Sequence, residues 1–341
     1  MEETIINSST KKLVPEVVLN SGHKMPVLGL GTGKVPPTPT DELVPILVDA
    51  IEAGYRHIDT AAFYQTEEAV GLAVVRAKER GLIKNRDDMF ITSKLWCTDA
   101  YPDGVLPALK TSLQRLGLEY VDLYLIHWPL RLKHGVPGFE LTKEDMIPFD
   151  ITGTWAAMEE ISRLGLAKSI GVSNFGTLKL SQILHNATIP PAVNQVEMNP
   201  SWQQGKLRDF CKEKGIHVTA WSPLGVYGTP QLNNAGIDYS VLEDLAAAKG
   251  RTVPQKLGQI NLVVFMQIIL RSIVQQGASA VPRTFNKERM KPNLDIFDWE
   301  LNEDEMNKIK QIPQRRLCSA EFFVSETGPC KSLDQLWDND P

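Results

Sequence analysis

The sequence predicts an α/β fold, a closed (β/α)8 barrel of the TIM type with an N-terminal β-hairpin, long loops on one face and a C-terminal tail. Three observations predict it. Eight short apolar cores fall near residues 28–31, 56–58, 89–93, 121–126, 168–172, 192–196, 216–221 and 278–282. Helix-length amphipathic segments separate them, the alternation of an α/β fold. The strand cores are almost continuously apolar, the pattern of a parallel sheet buried on both faces. Eight such units favour closure over an open, doubly wound sheet.

The elements follow in order. Residues 1–14 are polar and predict a flexible N-terminus, with 15–341 forming one barrel domain. From Val17 to Leu28, two short strands flank Ser21-Gly22, a hairpin signal. Leu43, Leu47, Ala50 and Ile51 share one helical face, as do Leu106, Leu109, Leu113 and Leu116. Gly54, Gly81 and Gly117 stand where a left-handed residue ends a helix. Three stretches, 129–152, 222–238 and about 312–341, exceed the usual connection length. The first two follow strands and so belong to the face where strand C-termini gather. The tail carries Phe322, Phe323, Leu336 and Trp337, too apolar for a solvated end. It either packs on the barrel wall or lines a pocket.

Composition narrows the partners. The chain has 341 residues, 43% apolar and 23% charged, ordinary globular values. A net charge of −5 and the lack of a long basic run argue against nucleic acid or an anionic membrane as partner. The first residues are acidic and hold no apolar core of signal-peptide length, so a cytoplasmic protein is expected. The N-x-S/T matches at Asn7 and Asn186 are then chance. Cys97, Cys211, Cys318 and Cys330 lack CxxC spacing and read as reduced thiols, and no metal site is expected.

The chemistry rests on Asp59, Tyr64, Lys94 and His127, each at or just past the end of a strand core. In a parallel barrel these ends meet on one face, which holds the active site. A tyrosine of pKa about 10 is a poor acid at neutral pH. A neighbouring Lys94 ammonium would stabilise the phenolate and lower that pKa, and Asp59 would keep Lys94 charged and in place. His127 would orient a carbonyl oxygen and stabilise developing negative charge. The four together suit proton delivery to a carbonyl. Phe63, Trp96 and Trp128 flank them and, with His127, would form an apolar mouth over a polar floor for the substrate.

Gly54-Tyr-Arg-His-Ile-Asp-Thr-Ala, Ile91-Thr-Ser-Lys-Leu-Trp, Asp122-Leu-Tyr-Leu-Ile-His-Trp-Pro, Ile170-Gly-Val-Ser-Asn-Phe and Asn194-Gln-Val-Glu-Met-Asn-Pro resemble successive signatures of the aldo-keto reductases. The likeness runs in order from about residue 16 to 312 and is nearest the plant specialised-metabolism group of codeinone, methylecgonone and chalcone reductases. It implies hydride transfer from NADPH to a ketone or aldehyde, with Tyr64 as proton donor, in a monomer. It also implies cofactor contacts. Gly31 and Thr32 lie in a tight first turn that lacks GxGxxG spacing. Ser173, Asn174 and Gln195 would hold the nicotinamide carboxamide, beside Asp59. Trp221, where the family usually has tyrosine, would stack on the ring. Ser222 and Leu224 would lie along the pyrophosphate. Arg283, Thr284, Phe285 and Arg289 would surround the 2′-phosphate, and Asn293 would meet the adenine. Arginine's planar fork suits that phosphate. The family often has glycine after the catalytic tyrosine, whereas this chain has Gln65.

One segment departs from the family pattern. Lys256 to Gln267 is an excess between Thr252-Val-Pro-Gln and Ile268-Ile-Leu-Arg. A single helix over 254–276 would run about 35 Å, too long for a barrel helix. The excess therefore predicts an awkwardly packed extension that loosens the last strand and the Arg283 site. An inactive or noncatalytic NADPH-binding barrel, impaired by this insertion, is the competing reading.

Overall fold

The structure, a computed structural model, describes residues 14–136, 142–225, 239–249, 260–326 and 328–338. Residues 1–13 of the N-terminal segment expected to be flexible, most of the 222–238 stretch and residues 256–259 of the excess segment lie outside these.

A hairpin of β1 (Glu16–Val18) and β2 (Lys24–Pro26) turns at Gly22. The barrel strands follow: β3 (Leu30–Gly31), β4 (His57–Asp59), β5 (Phe90–Leu95), β6 (Val121–Ile126), β9 (Ala167–Ser173), β10 (Val193–Glu197), β11 (His217–Trp221) and β12 (Ser279–Ala280). They pair in parallel in chain order. Closure comes from β12 meeting the first strand. Leu28 bridges Ala280, Gly29 N donates to Ala280 O at 2.9 Å, and Gly31 N donates to Pro282 O at 3.0 Å. The eight predicted cores are these eight strands.

Helices α1 (Thr40–Ala53), α2 (Glu67–Glu79), α3 (Val105–Leu116), α4 (Ile151–Arg163), α5 (Thr177–Asn186) and α6 (Gly205–Glu213) alternate with the strands. Leu43, Leu47, Ala50 and Ile51 of α1 are fully buried, the face their spacing predicts. On α3, Leu109, Leu113 and Leu116 are buried and Leu106 half-buried. Gly81 and Gly117 follow α2 and α3 with φ of 68° and 62°, a left-handed conformation glycine adopts without a steric cost. Below the barrel, Met25 of the hairpin packs with Leu123, Leu125 and Val193 and seals that end.

The predicted long connections take shape around the opposite end. Within 129–152, β7 (Arg131–Leu132) and β8 (Met146–Ile147) form a small antiparallel ladder. After β11 come α7 (Ser240–Ala248) and α8 (Ile260–Gln275), then α9 (Lys287–Leu294), α10 (Glu303–Lys310) and, in the tail, α11 (Leu333–Leu336). The second half of the excess segment is an orderly part of α8. Phe265 is 1% exposed and its ring meets Tyr239 at 5.9 Å, while Gln267 donates to Pro292 O at 2.7 Å. The expectation of awkward packing therefore fails for 265–267, because apolar Phe265 and Met266 are buried. α8 spans about 24 Å at 1.5 Å per residue, within the reach of a barrel helix.

Candidate active site

Asp59 ends β4, Lys94 lies near the end of β5, His127 follows β6, and Tyr64 sits in a single 3-10 turn, Ala62–Tyr64. The barrel brings all four to one face. Lys94 is wholly buried, and its Nζ donates to Asp59 Oδ1 at 2.6 Å and to Thr60 O at 2.9 Å. Gln195 Nε2 donates to the other carboxylate oxygen, Oδ2, at 2.7 Å. A buried ion pair holds only when its remaining valences are satisfied, and here both carboxylate oxygens are occupied. Lys94 Nζ also lies 4.8 Å from the centre of the Tyr64 ring.

The net effect on the phenol differs from the sequence expectation. Burial raises the Tyr64 pKa above its ordinary value, and the lowering by Lys94 does not cancel it, partly because Asp59 pushes the same way as burial. Burial alone would lower Lys94, but Asp59 and Tyr64 outweigh it and hold the ammonium above its usual range. For His127, burial and then Lys94 drive the imidazole well below its ordinary value. At neutral pH the site thus holds a protonated phenol, an ammonium and a neutral imidazole. Tyr64 OH and His127 Nε2 stand 3.4 Å apart, both facing a cavity of about 620 Å³.

That cavity has an apolar mouth. Phe63 stacks on Trp96 at 3.9 Å, and Trp96 meets His127 edge-on at 5.2 Å. Trp128 packs on Phe323 at 5.1 Å and Trp337 at 5.8 Å, so the tail both covers the barrel and forms a cavity wall. Cys318, Phe322, Lys34 and Val35 also line it. The sequence carried a signal for the tail aromatics but none for Lys34 and Val35. A larger cavity, about 900 Å³, opens elsewhere between the hairpin and α6 and includes none of the four catalytic candidates. Gln65 has a φ of 55°, in the left-handed region that glycine adopts without a steric cost.

The chain matches the aldo/keto reductase family over residues 27–314. It is 57% identical to rhazimal reductase 2 of Alstonia scholaris, covering 96% of this chain and 98% of that protein. It is 49% identical to NADPH-dependent codeinone reductase 1-4 of Papaver somniferum, covering 95% and 98%. Among solved structures it resembles a Bombyx mori aldo-keto reductase in complex with NADP, with TM-score 0.77 and 35% identity over 91% of this chain and 97% of that one. The chain belongs to the aldo-keto reductase family. It is an NADP-dependent oxidoreductase that reduces carbonyl groups with NADPH.

The groove of this aldo-keto reductase fits such a cofactor. A Cβ on Gly31 would lie 2.9 Å from Val281 O, and one on Gly33 3.0 Å from the Tyr64 ring, so backbone rather than side chains borders the cavity there. Ser173, Asn174 and Gln195 line the cavity floor at the ends of two neighbouring strands. Most of their donors are already engaged: Ser173 Oγ to Gln195 O at 2.7 Å, Asn174 Nδ2 to His127 O at 2.9 Å and Ser173 Oγ at 3.2 Å, and one N–H of Gln195 Nε2 to Asp59. For a carboxamide they keep acceptor capacity on Asn174 Oδ1 and Gln195 Oε1 and the second N–H of Gln195. Trp221 lines the cavity and also donates Nε1–H to Asn174 Oδ1 at 3.0 Å, a bond the family's usual tyrosine does not foreshadow. Thr32 is fully buried, its hydroxyl bonded to Asp59 O and Thr66, and it does not line the cavity. Ser222 lines the cavity with φ 46°, and Leu224 packs on the core.

The rim beyond Val281 holds the phosphate candidates. Arg283 is exposed, lines the cavity and lies over the Phe285 ring at 5.7 Å. Arg289 is half-buried on α9, and neither arginine forms an ion pair with another described residue. Thr284 is 8% exposed, its hydroxyl 3.5 Å from Asn286 O. Asn293 is fully buried on α9 and does not line the cavity. Among the described residues no group of His, Cys, Asp and Glu could hold a metal ion.

Proposed function

We propose that this reductase acts on a ketone or aldehyde of plant specialised metabolism, with Tyr64 as the proton donor. When bound, NADPH supplies a hydride to the carbonyl carbon. Tyr64 OH gives its proton to the carbonyl oxygen, and the phenolate left behind faces the Lys94 ammonium. Asp59 holds that ammonium through a 2.6 Å bond and so fixes its position. His127, neutral, is placed to hydrogen-bond the same oxygen and orient it. The observation that carries this reading is the meeting of Tyr64 OH and His127 Nε2, 3.4 Å apart, at the floor of the aromatic cavity. General-acid help of this kind contributes about 10²–10⁴-fold in rate.

Ser173, Asn174, Gln195, Trp221, Ser222 and the Gly31–Thr32 backbone are assigned to the nicotinamide and pyrophosphate. Arg283, Thr284, Phe285 and Arg289 are assigned to the 2′-phosphate, and Asn293 to the adenine end. Two relatives are named reductases of rhazimal and codeinone, and a cavity walled by Phe63, Trp96, Trp128 and Phe323 supports a bulky cyclic substrate. The same reading takes 15–341 as one domain working as a cytoplasmic monomer. Free Cys97, Cys211, Cys318 and Cys330 accord with a reducing compartment.

Tyr64→Phe tests it. NADPH consumption with a ketone and aldehyde panel should fall by about a hundredfold or more, while NADPH binding persists. Turnover that survives the substitution would refute Tyr64 as the donor.

A further inference from the structure

The last described residues of the tail do more than cover the barrel mouth. Asp338 is 8% exposed, although it lies near the chain end and carries a charge. Its Oδ2 accepts the backbone N–H of Lys179 at 2.9 Å, in the first turn of α5. Its Oδ1 pairs with the Lys179 ammonium. A carboxylate at a helix N-terminus satisfies a free N–H and complements the helix dipole. The partner returns the favour at the other element. Lys179 Nζ donates to Gln335 O at 2.8 Å and Leu336 O at 3.0 Å, the free carbonyls at the end of α11. Each helix end is thus capped by a side chain from the other segment.

The fit extends to the neighbours. α5 lacks a cap from its own preceding side chain, because Gly176 stands there. A Cβ on Gly176 would lie 2.6 Å from Asp338 Oδ2, so that glycine leaves the space the carboxylate fills. Trp337, beside Asp338, donates Nε1–H to Ser319 O at 2.9 Å and lies 3.8 Å beneath the Arg316 guanidinium. Its ring backs Trp128 and, with Leu336, joins the aromatic cluster that includes Trp96 and Phe323. Trp128 and Phe323 are cavity walls.

We propose that Asp338 and Lys179 form a latch that positions the tail aromatics, so that bulky ring ketones depend on it and small aldehydes do not. Asp338 is a positioning residue, since it acts through Trp337 and touches no reacting atom. The inference rests on the assignment of this cavity to the substrate. A small aldehyde needs only the floor at Tyr64 and His127. A multi-ring ketone needs the wall that Trp128 and Phe323 make, which loosens when the tail is released.

The test uses the full chain with NADPH, propanal as the small substrate, and fluorenone as substrate or as competitor against propanal. Asp338→Ala and, from the barrel side, Lys179→Met should each raise the KM or Ki for fluorenone by about three- to thirtyfold, the range expected for losing a helix cap. Propanal kcat/KM and NADPH affinity should stay within about twofold of the parent. Asp338→Asn keeps an acceptor for the Lys179 N–H and should fall between parent and Asp338→Ala. Unchanged fluorenone constants in both variants overturn the latch, as does failure of the parent to bind fluorenone. An equal loss for propanal and fluorenone overturns it too, since that is what general unfolding would give. Tyr64→Phe in parallel separates the two readings: propanal turnover that survives there refutes the proton donor, whereas the fluorenone ratio reports on the latch alone.

Discussion

At Tyr64 two opposing effects meet, and their balance sets how the enzyme should respond to pH. Burial raises the phenol and Lys94 lowers it, with the net shift upward. The donor form is the protonated one, present below the folded pKa and lost as pH rises through it. A pKa raised above its ordinary value of about 10 leaves the donor loaded across the neutral range. His127, driven well below its ordinary value, is uncharged there. The expected profile of kcat/KM for carbonyl reduction is flat from about pH 6 to 9, declining only on the alkaline side. Steady-state rates over that range check it, and a break near the ordinary histidine value of about 6.5 would show His127 titrating. That Asp59, Tyr64, Lys94 and His127 meet on one face was legible in the chain, because each lies at or just past the end of a strand core. The direction of the Tyr64 shift was not, since it depends on how fully the fold removes the ring from water. Nor could spacing reveal that Trp221 donates to Asn174, a bond that reaches across β10 between the ends of β11 and β9.

At the level of elements, periodicity located the strands and the helix faces, because both are consequences of burial repeated along the chain. The excess segment was misjudged for a reason of the same kind. Its length drew attention, yet the described part of α8, Ile260–Gln275, buries Phe265, Met266, Ile268 and Ile269. Phe265, Met266 and Gln267 are therefore buried parts of the barrel wall rather than an appendage. Phe265→Ala should cost about 3–5 kcal/mol, the usual price of emptying a buried aromatic site. That corresponds to a drop of several degrees in Tm. A thermal melt of the variant in the absence of NADPH measures it, and a transition coincident with the parent's would mean that Phe265 is not in the core. The tail shows the opposite limit of legibility. Its aromatics announced burial, but the choice between wall and pocket lining depended on Asp338, Lys179 and Glu197, whose carboxylate accepts Leu317 N at 3.1 Å and Cys318 N at 3.0 Å. Contacts more than a hundred residues apart in sequence leave no local pattern.

For the molecule as a whole, a net charge of −5 sits beside a site that must take a polyanionic cofactor. The two are compatible because attraction over short distances follows local charge, with a screening length of about 8 Å at physiological salt. Lys34 and Arg283 are exposed at the cavity, Arg289 lies close by in sequence on α9, and Asp59, the one carboxylate lining that cavity among the described residues, is engaged by Lys94. Binding to the folded state alone stabilises it by RT ln(1 + [L]/Kd), about 2.7 kcal/mol at a hundred times Kd. NADPH should therefore raise Tm, by more the tighter it binds, and NADH at equal concentration should raise it less, because it lacks the 2′-phosphate that we assign to Arg283, whose fork suits two parallel hydrogen bonds. On the proposed assignment, Arg283→Ala removes that grip without touching the floor at Ser173, Asn174 and Gln195, which would serve both cofactors. The gap between the two Tm shifts should then narrow mainly through a smaller NADPH shift, with the NADH shift nearly unchanged. Scanning fluorimetry of parent and variant across a concentration series of each cofactor decides it: if the NADPH advantage persists in full, the 2′-phosphate is bound elsewhere than at Arg283.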